Sequence, residues 1–398
     1  MTTIDTEALA QLWSTDDLRA DHVSAAEGRT FLVLPSIDRP RLVVPTRPHR
    51  AAGAIVRALR DKSSTKARAK TLAIRTALAT GAKGTWLPDP DLFGEVIRQL
   101  PQEEYVYGVH LGPPRANRKP VLVLATAQGG LVAFVKCGVN ALTDQLVHAE
   151  AAALTSVAHL TSLRTPHLIG MGEHRDHPYT VQSPVPTNRH RRSAAHIVAA
   201  QVEVASVGRG SIDVTAELDA VAERWRQRVI AAADGQPGVK EFAGLAERWT
   251  ERAHGSSLNW GSWHGDWRRT NMAVTSSGCS VWDWERFATG VPVGYDALHL
   301  FLMSHASSVH DLSSLPVDLF DNAQRLLRPF GVRGRTEAEL TTAGYLLELS
   351  GRYIDDNQSQ TGVRLGPVHE WLLPFLSTTL MHQVQHGAGR PGSGVSEP

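Results

Sequence analysis

The sequence predicts an α+β fold in which a strand-rich first half gives way to a helical second half. Three observations carry this. Between residues 103 and 184, short apolar runs are bounded by Gly and Pro, as half-buried strands require. After Pro186 the pattern becomes helical, with Leu and Phe anchors recurring through residues 296–385. Between these helical stretches lie two short apolar runs, 272–274 and 279–282. The Thr275-Ser276-Ser277-Gly278 that separates them reads as the turn of a β-hairpin.

The bulk numbers exclude several classes. At 398 residues the chain can build two or three domains and a large core. Apolar content of 42% and charged content of 20% are those of a soluble globular protein. A net charge of +1 provides no overall field to attract nucleic acid or a membrane surface. The two cysteines, Cys137 and Cys279, are too few for a disulfide framework and fall in expected strands, which suits a reducing compartment. The first residues lack the basic and apolar regions of a signal peptide, and no apolar run is long enough to span a bilayer. The expected compartment is therefore the cytoplasm. The eighteen histidines show no zinc-site spacing.

In chain order, residues 29–35 and 40–45 read as two short strands, followed by helical patterning from 47 to 83. That segment carries ten Lys/Arg against one acid, Asp61. It has no interleaved aromatics of the kind that stack on bases, so it reads as a solvated helical covering. Strands are expected at 105–111, 121–126 and 131–136, a helix at 140–158, and a further strand at 179–184. Helices follow at 193–205, 214–234 and 241–254. More lie between 296 and 385, with breaks at 313–316 and 358–366. The Gly/Ser/Pro-rich residues 387–398 cannot bury a core and read as a disordered tail.

The chemistry concentrates in Trp263-His264-Gly265-Asp266-Trp267-Arg268-Arg269-Thr270-Asn271, followed after the hairpin by Trp282-Asp283-Trp284-Glu285. A hairpin returns its two ends to one place, so Asn271 before it and Asp283 after it can meet the same cation. Asp266 sits one loop earlier, within reach of a hydroxyl held beside that cation. One carboxylate to orient or deprotonate an attacking oxygen, with an amide and a carboxylate for Mg2+, is the layout of a phosphoryl-transfer site.

His-Gly-Asp-x-x-x-x-Asn, then Asp-Trp-Glu, then Gly290, Pro292 and Asp296, resembles the aminoglycoside phosphotransferase family. The resemblance implies a bilobal, protein-kinase-like fold with a strand-rich N-lobe, a helical C-lobe and, here, an N-terminal cap-like extension. It implies Asp266 as catalytic base, Asn271 and Asp283 as Mg2+ ligands, His264 as a brace and Asp296 as an anchor for a helix. Arg268 stands where a cation faces the transferring phosphate. The strand ending at Lys136 is similar to the Val-Ala-Ile-Lys of kinases. Lys136 then grips the phosphates of ATP or GTP, and Glu150 on the next helix aims it. Gln182 and Ser183 lie where a hinge meets the adenine. Gly265 replaces the Arg that receives a phosphorylated activation loop in protein kinases, which favours a small-molecule acceptor.

The chain departs from the family in its nucleotide loop. Gly108 and Gly112 flank it without a Gly-x-Gly-x-x-Gly, and Pro113 and Pro114 remove two N–H donors. Arg115, Arg118 and Lys119 offer charge in place of those amides. The expected boundaries are 1–100 for the extension, 101–185 for the N-lobe, 186–386 for the C-lobe with the catalytic loop, and 387–398 for the tail. Tyr345, Glu348, Arg352 and Asp355 share one face of a helix at i+3/i+4 spacing and are candidates for holding an amino sugar, amino alcohol or antibiotic. The alternative from another class is a non-catalytic kinase-fold binding or regulatory protein that uses the basic extension. Oligomeric state is not encoded in these features.

Overall fold

The computed structural model describes residues 12–13, 28–36, 40–59, 65–81, 84–112, 117–187, 193–208, 214–232, 235–276, 278–306, 308–360 and 365–387. Expectations that fall on residues 113–116 and 388–398 lie outside them. The chain divides into two compact units. One comprises Met1–Val204 and His264–Ala288, and the other comprises Ala205–Trp263 and Thr289–Pro398. The His264–Ala288 segment, which carries the loop and the hairpin, groups with the sheet-bearing unit.

In the first unit, the extension supplies β1 (Gly28–Leu34), β2 (Leu42–Pro45), α1 (His49–Leu59), α2 (Thr65–Ala79), β3 (Thr85–Pro88) and α3 (Asp91–Ile97). Then come β4 (Tyr105–His110), β5 (Val121–Thr126), β6 (Leu131–Cys137), α4 (Ala141–Val157), β7 (Leu163–Arg164), β8 (Leu168–His174), β9 (His177–Gln182) and α5 (Ala194–Ala205). Eight strands form one antiparallel sheet in the order β3-β1-β2-β4-β5-β6-β9-β8. The strands of the extension thus continue the same sheet as β4–β9. Successive residues of a strand face opposite ways, and the cores follow that period. Tyr105, Tyr107 and Val109 of β4 join Leu122, Leu124 and Val135 in one cluster that includes Phe31 and Phe93. Val106, Val123 and Ala125 point the other way, under Ala51 and Ile55 of α1.

Gly108, read from the sequence as flanking a nucleotide loop, lies within β4. A Cβ there would come within 2.6 Å of Ile55 Cγ2, so this glycine admits α1 onto the sheet. Strands β3 and β8 were not expected. β3 is four residues ending in Pro88, and β8 carries Gly170 and Gly172, which weaken a strand signature. At Gly172 a Cβ would lie 2.5 Å from the Tyr179 hydroxyl.

The second unit contains α6 (Val214–Ala231), α7 (Val239–Ala253), β10 (Trp260–Trp263), β13 (Ala288–Pro292), α8 (Tyr295–His305), α9 (Ser314–Leu327), α10 (Arg335–Asp355), α11 (Val368–Trp371) and α12 (Leu373–Gly387). The expected break at 313–316 is the start of α9, where Pro316 sits in the first turn and costs no intrahelical bond. Helix α10 is almost wholly buried. Trp225 meets Trp249 edge-on, with ring centroids 5.1 Å apart. Trp249 packs where a Cβ on Gly344 would collide with it at 2.7 Å. The α+β architecture expected from the sequence is the one observed. Among the described residues no helix is long and apolar enough to cross a membrane.

Glu348 is buried in α10, where its Oε1 accepts from Arg228 Nη2 at 2.7 Å and its Oε2 from Trp225 Nε1 at 2.8 Å. Burial alone raises a carboxyl pKa. Here Arg228, with help from Arg224 and the Trp225 N–H, overrides it and holds the group at about 2, below its usual 4.5. Because the folded value is the lower one, this stabilisation is full above about pH 4.5 and is lost as pH falls toward 2. Glu348→Gln leaves Asp355 as the carboxylate partner of Arg228 and should cost about 1–3 kcal/mol at neutral pH. Denaturant titrations across pH 2–5 should show a shallower loss of stability in the variant than in the parent.

Candidate active site

The geometry begins with Lys136, near the end of β6, opposite Thr180 of β9 and Val121 of β5. Its ammonium lies 2.6 Å from Glu150 Oε1 and 2.7 Å from Asp283 Oδ1. Glu150 is fully buried on α4, a helix started by a capping box between Asn140 and Thr143. The same Glu150 Oε1 accepts the main-chain N–H of Trp284 at 3.1 Å. One carboxylate oxygen therefore ties a sheet lysine to the backbone after the hairpin. Burial disfavours the charge on Lys136, but Asp283, Glu150 and Glu285 overcome it and raise its pKa, so it stays protonated.

The hairpin pairs β11 (Met272–Thr275) with β12 (Gly278–Val281), Met272 opposite Val281. The Trp282 N–H donates to Asn271 O at 3.1 Å, which brings the ends together as the sequence requires. Asp283 follows with φ 73°, a left-handed conformation uncommon for a residue with a side chain. Its carboxylate is about one-third exposed, at 34%. Burial pushes its pKa up, but Lys136 and then Lys119 pull it below the usual range, while the nearby Asp266 charge acts in the opposite sense.

Asp266 is fixed from two sides. Arg268 Nε donates to its Oδ1 at 2.7 Å, with Nη2 on Oδ2, and Asn271 Nδ2 donates to Oδ2 at 2.8 Å and to the Asp266 carbonyl at 3.1 Å. Donation to a carboxylate identifies that Asn271 atom as nitrogen, so Oδ1 is the amide's remaining ligand atom. His264 is fully buried against Trp284, 4.6 Å between ring centroids. Its Nδ1 accepts the Asp266 N–H at 3.2 Å while Nε2 lies 3.2 Å from Trp282 O. Accepting at Nδ1 places the proton on Nε2, so the ring bridges the loop to the hairpin. Gly265 has φ +86°, and a Cβ there would sit 2.0 Å from Arg286 O. The residue that distinguishes this motif from the protein-kinase His-Arg-Asp therefore also has a local steric cause.

Two participants received no firm role from the sequence. Lys119 ion-pairs with Glu285, both side chains more than nine-tenths buried. Burial raises the Glu285 pKa, Lys119 offsets part of this, and Asp283 adds to it. Carboxylate oxygens of Glu150, Asp283 and Glu285 all lie within 4.8 Å of one another. Glu150 Oε2 is buried without a hydrogen-bond partner. Three carboxylates facing two ammonium groups leave a net negative charge and hard oxygen donors, a set that fits a divalent cation. Arg118, read with Lys119 as loop charge, donates its Nε to Leu111 O at 2.6 Å.

The two residues expected at a hinge, Gln182 and Ser183, are engaged by the sheet and its flanking chain. Gln182 stands opposite Phe134 on one side and Leu168 on the other, and its side chain donates to Thr180 Oγ1 at 3.1 Å. The Ser183 N–H donates to His167 O at 2.9 Å, and Ser183 Oγ accepts the His167 N–H at 2.8 Å.

The four candidate substrate residues lie on α10 in the second unit. Tyr345 has no exposed surface, and its hydroxyl lies 3.0 Å from His299 Nδ1. Glu348 is committed to Arg228 and Trp225. The Arg352 guanidinium lies over the Trp263 ring at 4.8 Å, and Asp355 pairs with Arg228 at 2.8 Å. The face that looked polar and accessible in the sequence is one whose polar groups pair internally. Spacing within one helix cannot reveal that, because the partners come from α6, α8 and β10.

Gly265→Ala should destabilise by at least about 2 kcal/mol, since it combines an unfavourable φ with a backbone collision. Thermal unfolding of the variant, with Gly255→Ala as the control, checks this. Gly255 also has positive φ, +79°, but nothing lies within 4 Å of a Cβ there.

No family model matches the sequence, and no curated protein matches it. Among solved structures, the chain is similar to the aminoglycoside phosphotransferase APH(4)-Ia at 11% identity, covering 75% of this chain and 99% of that one, with a TM-score of 0.45. It is similar to APH(2")-IIa, solved with gentamicin, at 12% identity, 74% and 96% coverage and a TM-score of 0.41. It is also similar to APH(3'')-Id from Streptomyces rimosus, solved with ADP and streptomycin, at 15% identity, 56% and 90% coverage and a TM-score of 0.35.

Proposed function

We propose that the chain is a phosphotransferase that moves the γ-phosphoryl group of ATP or GTP to a hydroxyl of a small molecule. The supporting observation is one constellation. Lys136 is clamped by Glu150 and Asp283, while Asp266, oriented by Asn271 and Arg268, lies close enough to act on the charge of Asp283. In this reading the acceptor hydroxyl donates its hydrogen bond to Asp266. Its oxygen attacks the γ-phosphorus as the bond to the bridging oxygen breaks, and Asp266 takes the proton. Arg268, which neutralises Asp266 at rest, is placed to turn to the phosphoryl oxygens once they arrive. Lys136 would exchange part of its carboxylate pairing for the α- and β-phosphates.

Asp283 and Asn271 Oδ1 would hold Mg2+, with Glu285 as an additional carboxylate within 4.8 Å of Asp283. When bound, Mg2+ would supply charge neutralisation on the phosphate oxygens. Since the Ser183 amide is engaged by His167, the base would meet the next main-chain groups. There, Val185 carries an N–H between Pro184 and Pro186, which have none. The acceptor belongs to the class of sugars, amino sugars, amino alcohols and hydroxylated antibiotics, and the reaction would run in the cytoplasm.

A nucleotide-consumption screen with ATP and GTP against such a panel tests the reading. Absence of turnover with every acceptor, together with no Mg2+-nucleotide binding, would favour the non-catalytic binding protein instead. Asp266→Asn keeps shape and removes the base, so kcat should fall by at least about a hundredfold while nucleotide still binds. Asp283→Ala should abolish Mg2+-nucleotide binding in calorimetry, and an unchanged affinity would remove Asp283 from the cation site.

A further inference from the structure

The basic segment of the extension forms a cleft that the phosphotransfer chemistry does not use. Helix α1 buries Ala51, Ala52, Ala54, Ile55 and Val56 against the sheet. Arg50, Gly53 and Arg57 consequently share its outer face at i, i+3 and i+7. Arg75 of α2 faces the same space, and the β5–β6 turn closes it through Gln128 and Gly129. That turn is pressed onto α1: Gly129 has φ +89°, and a Cβ there would lie 2.8 Å from Arg50 O. The cleft is open on its solvent side and has a volume of about 490 Å3, within the range of small-molecule sites.

Three features distinguish this cleft from a merely solvated basic face. Among the described residues no acidic side chain lines it, and none of the three arginines pairs with a carboxylate. Like charges gathered together repel one another, a cost that a bound anion removes. The floor is open because Gly53 has no side chain, and a Cβ there would meet nothing nearer than Arg57 Nη1 at 3.6 Å. The wall includes the exposed Ala79 and the edge of the buried Leu78, a small apolar surface for a ligand body larger than a bare ion. Among the described residues no Phe, Tyr or Trp lines the cleft, and its single ring is the imidazole of His49, which adds a further nitrogen donor for an anion. Guanidinium forks match phosphate oxygens in geometry and charge. We infer that this cleft binds a small organic phosphate, at a site separate from the one built on Asp266 and Asp283.

The test is calorimetric binding of glucose 6-phosphate to the full chain, with glucose as the uncharged control. Glucose 6-phosphate should bind and glucose should not. Arg57→Gln/Arg75→Gln should weaken binding by roughly tenfold or more, the loss expected when charge-assisted hydrogen bonds are removed. Gly53→Leu leaves every charge in place and fills the floor, so an equal loss there identifies a cavity rather than a diffuse positive field. Lys136→Met should leave the affinity unchanged. Circular dichroism of each variant confirms that it folds. The inference is overturned if the phosphate does not bind, if Gly53→Leu binds as well as the parent, or if Lys136→Met abolishes binding and so places the probe in the nucleotide site. It is also overturned if phosphatidylserine vesicles or single-stranded RNA bind through the arginines while glucose 6-phosphate does not compete. Because binding alone is read, failure here leaves the phosphotransferase reading untouched, and failure of turnover leaves this one untouched.

Discussion

The Lys136 ammonium between Glu150 and Asp283 is the interaction on which the rest of the site depends. It joins three separately built elements, a sheet strand, helix α4 and the segment leaving the hairpin, through two bonds of 2.6 and 2.7 Å. Isolated buried charges are costly, so each member requires the others. Glu150 has no exposed surface, and without Lys136 and the Trp284 N–H its charge would be uncompensated. The position of β6 in the middle of a sheet paired on both sides fixes where the ammonium stands. The left-handed φ of Asp283 lets the chain leave β12 and present its carboxylate to that point.

The loop before the hairpin obeys a related logic with neutral groups. Its geometry depends on a glycine where no side chain fits and a histidine that accepts at one ring nitrogen and reaches a carbonyl with the other. Around them Trp267 and Trp284 exclude water, which strengthens the hydrogen bonds that orient Asp266. The polar residues hold direction, and the aromatic ones keep the surroundings dry.

Much of this was legible in the sequence because its cause is local. A hairpin whose second strand opens on Gly278 returns Asn271 to Asp283 whatever the rest of the chain does. A lysine at a strand end followed by a helix with an interior glutamate offers an ion pair through two short elements. What could not be read depends on long-range partners. Lys119 meets Glu285 across 166 residues, and the Gln182–Ser183 main chain is consumed by β8, whose glycines concealed it as a strand. Tyr345, Glu348 and Arg352 have helical spacing that suits a binding face as well as a buried one. Their burial is decided by tryptophans far away in sequence, Trp225, Trp249 and Trp263. Gly108 shows the same ambiguity, since a glycine near a loop can serve a ligand or, as here, an overlying helix.

The resting arrangement also constrains how a triphosphate could enter. Every charged group proposed to act on it already has a partner: Lys136 with Asp283 and Glu150, Arg268 with Asp266, Lys119 with Glu285. Each pairing places a cation against an acid, so an arriving phosphate with its metal need not create charge in a buried place. The phosphate would take over the cations, and Asp283 and Glu285 would then be left to hold the metal. Such an exchange conserves the number of compensated charges and avoids most of the desolvation cost that burying bare ions would carry. It also makes phosphate and metal depend on one another. Phosphate alone would pull Lys136 from Asp283 and leave three crowded carboxylates short of counter-charge, whereas metal alone would leave two lysines competing for too few acids. On this reasoning the proposed cation requirement would belong as much to the electrostatics of the protein's own side chains as to the nucleotide.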